Sequence, residues 1–63
     1  MIDVMPIVAG ARLRLANSST AEVVENMHDG QWLMIRYVAA EDEAIVGEEE
    51  LVHASDIVAV DAT

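Results

Sequence analysis

A chain of 63 residues with net charge −9, 54% hydrophobic residues and no cysteine is one small domain, with neither a disulfide nor a thiolate-held zinc to staple it. Twelve acids against three arginines and no lysine repel phosphate backbones, the main source of generic nucleic-acid affinity. The hydrophobic share equally excludes an acidic disordered tail.

A domain of this size buries only about 60% of the surface its unfolded chain exposes, so self-association or a bound partner is the expected supplement to a thin core. Residues 1–9, MIDVMPIVA, are apolar but carry Asp3 where a signal peptide would carry Lys or Arg, and the stretch is too short to span a bilayer. It is read as an edge strand or a partly ordered segment ahead of a domain at 10–60, with 61–63 as a tail. The expected setting is the cytoplasm, which the absence of cysteine suits, and no membrane contact is expected.

After Gly10, ARLRLA alternates Ala11, Leu13 and Leu15 with Arg12 and Arg14, the period of a half-buried strand. Asn17, Ser18 and Ser19 form a turn cluster. TAEVVENM at 20–27 has two readings. Ser19 with Glu22 fits a capping box, whereas paired valines leading to Asp29-Gly30 fit a hairpin. The strand reading is preferred because a helix here would hold only about two turns and gain little by itself.

QWLMIRYV at 31–38 is the strongest element and holds the only Trp and the only Tyr. Trp32, Met34, Arg36 and Val38 fall on one face; Gln31, Leu33, Ile35 and Tyr37 fall on the other. Strands covered on both faces belong to the centre of a barrel or sandwich, or to an interface. Trp32 and Tyr37 therefore cannot share one aromatic cage, and Tyr37 is expected to be the more exposed, since its hydroxyl needs a partner or water.

AAEDEAIVGEEE at 39–50 is a long acidic connection in which 44–46 fits either a short strand or a helical turn. A strand at 50–53, a tight turn through Ala54, Ser55 and Asp56, and a last strand at 57–60 close the chain. Five short strands with tight turns read as an all-β protein, a small barrel with a short helical turn before the last strand.

Gly10 before an alternating strand, a second strand ending at Asp29-Gly30, the aromatic strand WLMIRY and the closing EEELVHASDIVAV together resemble the SH3-like small barrels, the group that includes Tudor and KOW domains. The resemblance covers roughly 10–60 and rests on strand and turn pattern. It implies a five-stranded SH3-like barrel whose final strands are joined by the turn Ala54-Ser55-Asp56. Nucleic-acid-binding members carry basic loops, whereas these loops are acidic, and the Val-Gln-Ile-Tyr motif of the plasmid-encoded barrel dihydrofolate reductases has no counterpart in EEELVHASDI. Neither activity is carried over.

The acidic groups Glu41, Asp42, Glu43 and Glu48, Glu49, Glu50 lack the EF-hand spacing, and a solvated loop is the simpler reading than a metal site. His53, Ser55 and Asp56 include the residue types of a hydrolase triad, but neighbours in one strand and turn do not converge in the required line. Local capping of the turn is expected instead. His28, before the Asp-Gly turn, is expected to face solvent. Arg12, Arg14 and Arg36 could form an anion patch, although balancing acids such as Glu22 and Glu25 across strands is the simpler role. No catalytic set, metal site or cofactor is expected.

The leading expectation is a non-enzymatic interaction module that binds a protein partner or itself through the exposed side of the 31–38 strand and the N-terminal segment. Its candidate contacts are Trp32, Met34, Arg36, Tyr37, Arg12 and Arg14. Alternatives are an acidic mimic of nucleic acid that inhibits a DNA- or RNA-binding protein, with Glu41, Asp42, Glu43, Glu48, Glu49 and Glu50 as its contacts, and a regulatory or assembly subunit of an enzyme.

Overall fold

In the computed structural model, which describes residues 2–61, five strands run β1 Arg12–Leu15, β2 Thr20–Asn26, β3 Trp32–Ala39, β4 Glu49–His53 and β5 Ile57–Asp61. They form a single antiparallel sheet in the order β4-β3-β2-β1-β5. The all-β expectation holds, with strand ends within a residue or two of those read from the alternation. Among the described residues the helical elements are two 3-10 turns, at Glu43–Ile45 and Ala54–Asp56. The stretch 44–46 is therefore a helical turn rather than a strand.

β4 and β5 lie at opposite ends of the sheet order yet are joined by the three-residue turn Ala54–Asp56. A flat sheet cannot satisfy both, so the sheet curls until its edges approach. Register shifts at Arg14/Leu15, Thr20/Ala21 and Val23/Glu25 give the extra bend and twist that such curling needs. The turn is tied to both of its flanks, to the residue before β3 by Ala54 N to Gln31 O at 2.7 Å and to the residue after β1 by Ala16 N to Asp56 O at 2.8 Å. No ladder joins β4 to β5 among the described residues. The sheet is thus not closed, and the barrel is loose, with a seam where the final ladder would be.

Period two decides what is inside. Leu13 and Leu15, Ala21 and Val23, Leu33, Ile35 and Tyr37, with Val52, Ala54 and Ile57, make the core. β2 is a strand and not a helix because both its edges are taken, by β1 and by β3. Ser19 serves no helix cap; it is buried and its amide donates to Asn17 Oδ1 at 3.0 Å, closing the β1–β2 turn.

Among the described residues before Gly10, 2–9, there are turns and no strand. Val4 and Ile7 are buried in the core, across a turn in which Ile7 N donates to Val4 O at 3.1 Å. Buried Asn26 holds this turn: its Nδ2 donates to Val4 O at 2.9 Å and to Ile7 O at 2.8 Å, while its Oδ1 accepts from His28 N at 2.8 Å. Pro6, which lacks an amide proton, sits inside the turn. Val4 and Ile7, with Ile2 packed against the cluster, therefore serve the core, and Met5 and Val8 are left facing out.

At the β2–β3 turn His28 and Gly30 both have positive φ, 59° and 79°, a conformation that suits Gly and is uncommon for a residue such as His. Asp29 Oδ1 accepts from Trp32 N at 2.9 Å and from Gln31 N at 2.8 Å. These amides hold its carboxyl below the usual carboxylate range, Trp32 contributing most.

Candidate functional site

β3 carries Leu33, Ile35 and Tyr37 inward and Trp32, Met34 and Arg36 outward. Tyr37 is only 6% exposed and Trp32 39%, so the expectation about the two aromatics is reversed. The reason is a partner the strand pattern could not show: the Tyr37 hydroxyl donates to the Glu50 carboxylate. Donation to Glu50 and then burial raise the phenol above its ordinary value. Tyr37 is thus no surface contact. It lines the seam, a pocket of about 280 Å³, with Leu15, Asn17, Glu50, Val52 and Asp56.

β4 has an inverted polarity. Glu50 lies opposite buried Ile35 and so on the inner side, at the seam, whereas Leu51 lies opposite Met34 on the outer side and is 47% exposed. One step along, Trp32 is opposite His53, and their rings meet edge to face at 5.0 Å and 78°. Trp32, Met34 and Leu51 therefore make a continuous apolar strip on the outer face, bounded by His53. Exposed large apolar groups placed singly need no account, but a contiguous strip does.

The next row of the same face is charged. Asp61 of β5, Arg12 of β1, Glu22 of β2, Arg36 of β3 and Glu49 of β4 are successive cross-strand partners, an alternating ladder across the whole sheet. Its closest contact is Arg36 to Glu49 at 2.7 Å. Opposite charges facing each other across strands stabilise by about 0.2–1 kcal/mol per pair. The arginines thus form no continuous anion patch: Glu22 separates Arg12 from Arg36, and Arg14 lies beside Thr20 and Ala59.

The acidic loop is partly engaged within the fold. Glu49 holds Arg36, Glu50 holds Tyr37, and Asp42 Oδ1 accepts from Ala44 N at 3.0 Å at the start of its 3-10 turn. Glu41, Glu43 and Glu48 are exposed. Among the described residues no three acidic or imidazole side chains converge as a metal site.

His53 Nδ1 accepts from Ser55 N at 3.1 Å and lies 2.9 Å from Ser55 Oγ. One imidazole nitrogen is thereby committed to capping the turn Ala54–Asp56, and Asp56 uses its backbone carbonyl to tie that turn to Ala16. His28 is exposed, as its position before the Asp-Gly turn implied.

Trp32, Met34 and Arg36 are thus brought together as read from the sequence, while Tyr37 leaves the surface. Leu51 joins it unanticipated. Alternation along EELVH would have put Leu51 and Val52 on opposite sides, but pairing Leu51 with Met34 depends on the register that the 40–48 connection sets. No protein-family model, curated protein or solved structure matches this chain.

Proposed function

We propose that the chain is a non-enzymatic interaction module that binds a protein partner, or a second copy of itself, through the outer face of β3 and β4. The observation that carries this reading is the contiguous strip Trp32–Met34–Leu51, held on two paired strands and edged by His53 and the Arg36–Glu49 pair. Aromatic side chains beside arginine are the usual anchors of protein interfaces. Covering Leu51 alone would remove enough apolar surface to be worth about 1 kcal/mol.

The strand order and the tight turn before β5 support an SH3-like barrel, of the group that includes Tudor and KOW domains, as the fold behind this role. A reducing cytoplasm is its proposed setting, in keeping with the cysteine-free sequence. Glu49 and Glu50 are exposed but paired, with Arg36 and with the Tyr37 hydroxyl, which leaves fewer unpaired acids for a mimic of nucleic acid.

Affinity capture from source cells and sedimentation over a concentration series, on the natural chain and on Leu51→Glu, test the reading. The expected result is a complex or a concentration-dependent oligomer that the substitution abolishes without changing the circular dichroism spectrum. A monomer at high concentration with nothing captured refutes it.

A further inference from the structure

The two edges of the sheet are protected very differently. β4 reads EELVH behind Glu48 and turns Glu50 toward the seam; clustered charge and an inward-facing carboxylate both deter strand pairing. β5 reads IVAVD, rich in β-branched residues, with Val58 60% exposed. Among the described residues its one strand neighbour is β1. An open groove of about 480 Å³ runs beside its end, lined by Val8, Ala9, Ala11 and Val60 and by the acidic residues Asp3 and Asp61.

We propose that the free edge of β5 is a second docking site, distinct from the Trp32 strip, and that it accepts an extended segment of a partner protein in which apolar and basic residues alternate. In strand addition, main-chain hydrogen bonds supply affinity and alternate side chains supply specificity. Both sets of side chains are specified here. The charge ladder across the sheet alternates in sign and ends on β5 with a carboxylate, Asp61, so the next position on an added strand calls for Lys or Arg. The neighbouring position, opposite Val60, calls for an apolar side chain that can enter the groove.

A second copy does not meet that specification. The chain's cations, Arg12, Arg14 and Arg36, all lie on β1 and β3, and neither edge strand carries Lys or Arg. Edge-to-edge pairing of two copies would instead set carboxylates near carboxylates between two particles of charge −9 each.

The probe is a short synthetic peptide alternating valine and lysine, compared with its valine–glutamate counterpart, added to the full chain. Amide exchange and chemical shifts are read along the backbone, together with Trp32 fluorescence. The valine–lysine peptide is expected to slow exchange and shift resonances over 57–61 while leaving Trp32 fluorescence unchanged, and the glutamate peptide is expected not to bind. Asp61→Lys should lower affinity for the lysine peptide about fivefold, the effect of one cross-strand charge pair of about 1 kcal/mol, and admit the glutamate peptide. Val60→Lys, a charge set into the edge, should weaken binding of the lysine peptide.

Equal binding of the two peptides overturns the proposal, as does binding that Asp61→Lys leaves unchanged or that shifts the Trp32–Leu51 strip instead. Self-association that Val60→Lys abolishes also overturns it, assigning this edge to a second copy. The Trp32 strip has its own test, Leu51→Glu, so failure of the edge site and failure of the strip are read from different variants.

Discussion

Asn26→Ala should cost this domain a large share of its stability, although the side chain belongs to neither proposed contact surface. Besides a long bond from Nδ2 to Met5 O at 3.4 Å, three short hydrogen bonds are lost: Nδ2 to Val4 O and to Ile7 O, and His28 N to Oδ1. At about 1 kcal/mol net for each the loss is about 3 kcal/mol. A domain of this length is worth only about 3–9 kcal/mol in total, and each kcal/mol moves the melting temperature by about 4–8 °C. The expected fall is therefore about 12–24 °C, read by thermal or urea unfolding with the single Trp as reporter.

The mechanism makes a sharper statement than the size of the loss. If Asn26 acts by holding the Val4–Ile7 turn against the core, Ile7 contributes packing only while that turn is docked. Ile7→Val should cost about 0.5–1.5 kcal/mol in the natural chain and close to nothing in the Asn26→Ala background. Additive losses, or a fall of less than about 1 kcal/mol for Asn26→Ala, would refute the clamp.

Tyr37 gives an alkaline signature. Its phenol is raised above 10.0 in the folded chain, so the unfolded chain releases its proton first. The stabilisation is complete below the unfolded value and is lost as pH rises through the folded one. Tyr37→Phe should flatten that alkaline limb, and phenolate absorbance of the only Tyr should titrate late in the natural chain. Asp29 works at the other end: its carboxyl is lowered from 3.8, so its contribution stands above that value and fades as pH falls through the folded one. Asp29→Asn should remove that part of the acid dependence in urea titrations at successive pH values, and an unchanged acid slope would count against the two amide bonds. His53→Ala removes the acceptor that caps the turn Ala54–Asp56 and the ring facing Trp32. It should destabilise by about 1 kcal/mol, as loss of a cap does, and alter Trp32 fluorescence; an unchanged midpoint would reject the capping role.

Strand and turn pattern located β1, β3 and β5, and alternation sorted the side chains of β3 into its two faces. That is possible because side chains alternate strictly along a strand and a small core demands one apolar side from each. It could not say which of the two apolar faces of β3 was the inner one by way of Trp32 and Tyr37. Exposure of an amphipathic ring depends on whether its polar atom finds a partner, and Glu50 is thirteen residues away. The same limit applies to MIDVMPIV: nothing in those residues announces that Asn26, at the far end of β2, will satisfy their carbonyls.

The amino-acid order by itself therefore determined an all-β domain of short alternating strands, its tight turns and its lack of cationic surface, because these follow from nearest-neighbour geometry and composition. Tertiary structure decided what depends on register and on groups distant along the chain. It turned Tyr37 inward, brought Leu51 beside Met34, threaded five charges into one ladder and left β5 as the less guarded edge. Each of those pairings is set where separate strands meet, and a linear pattern carries no measure of that distance.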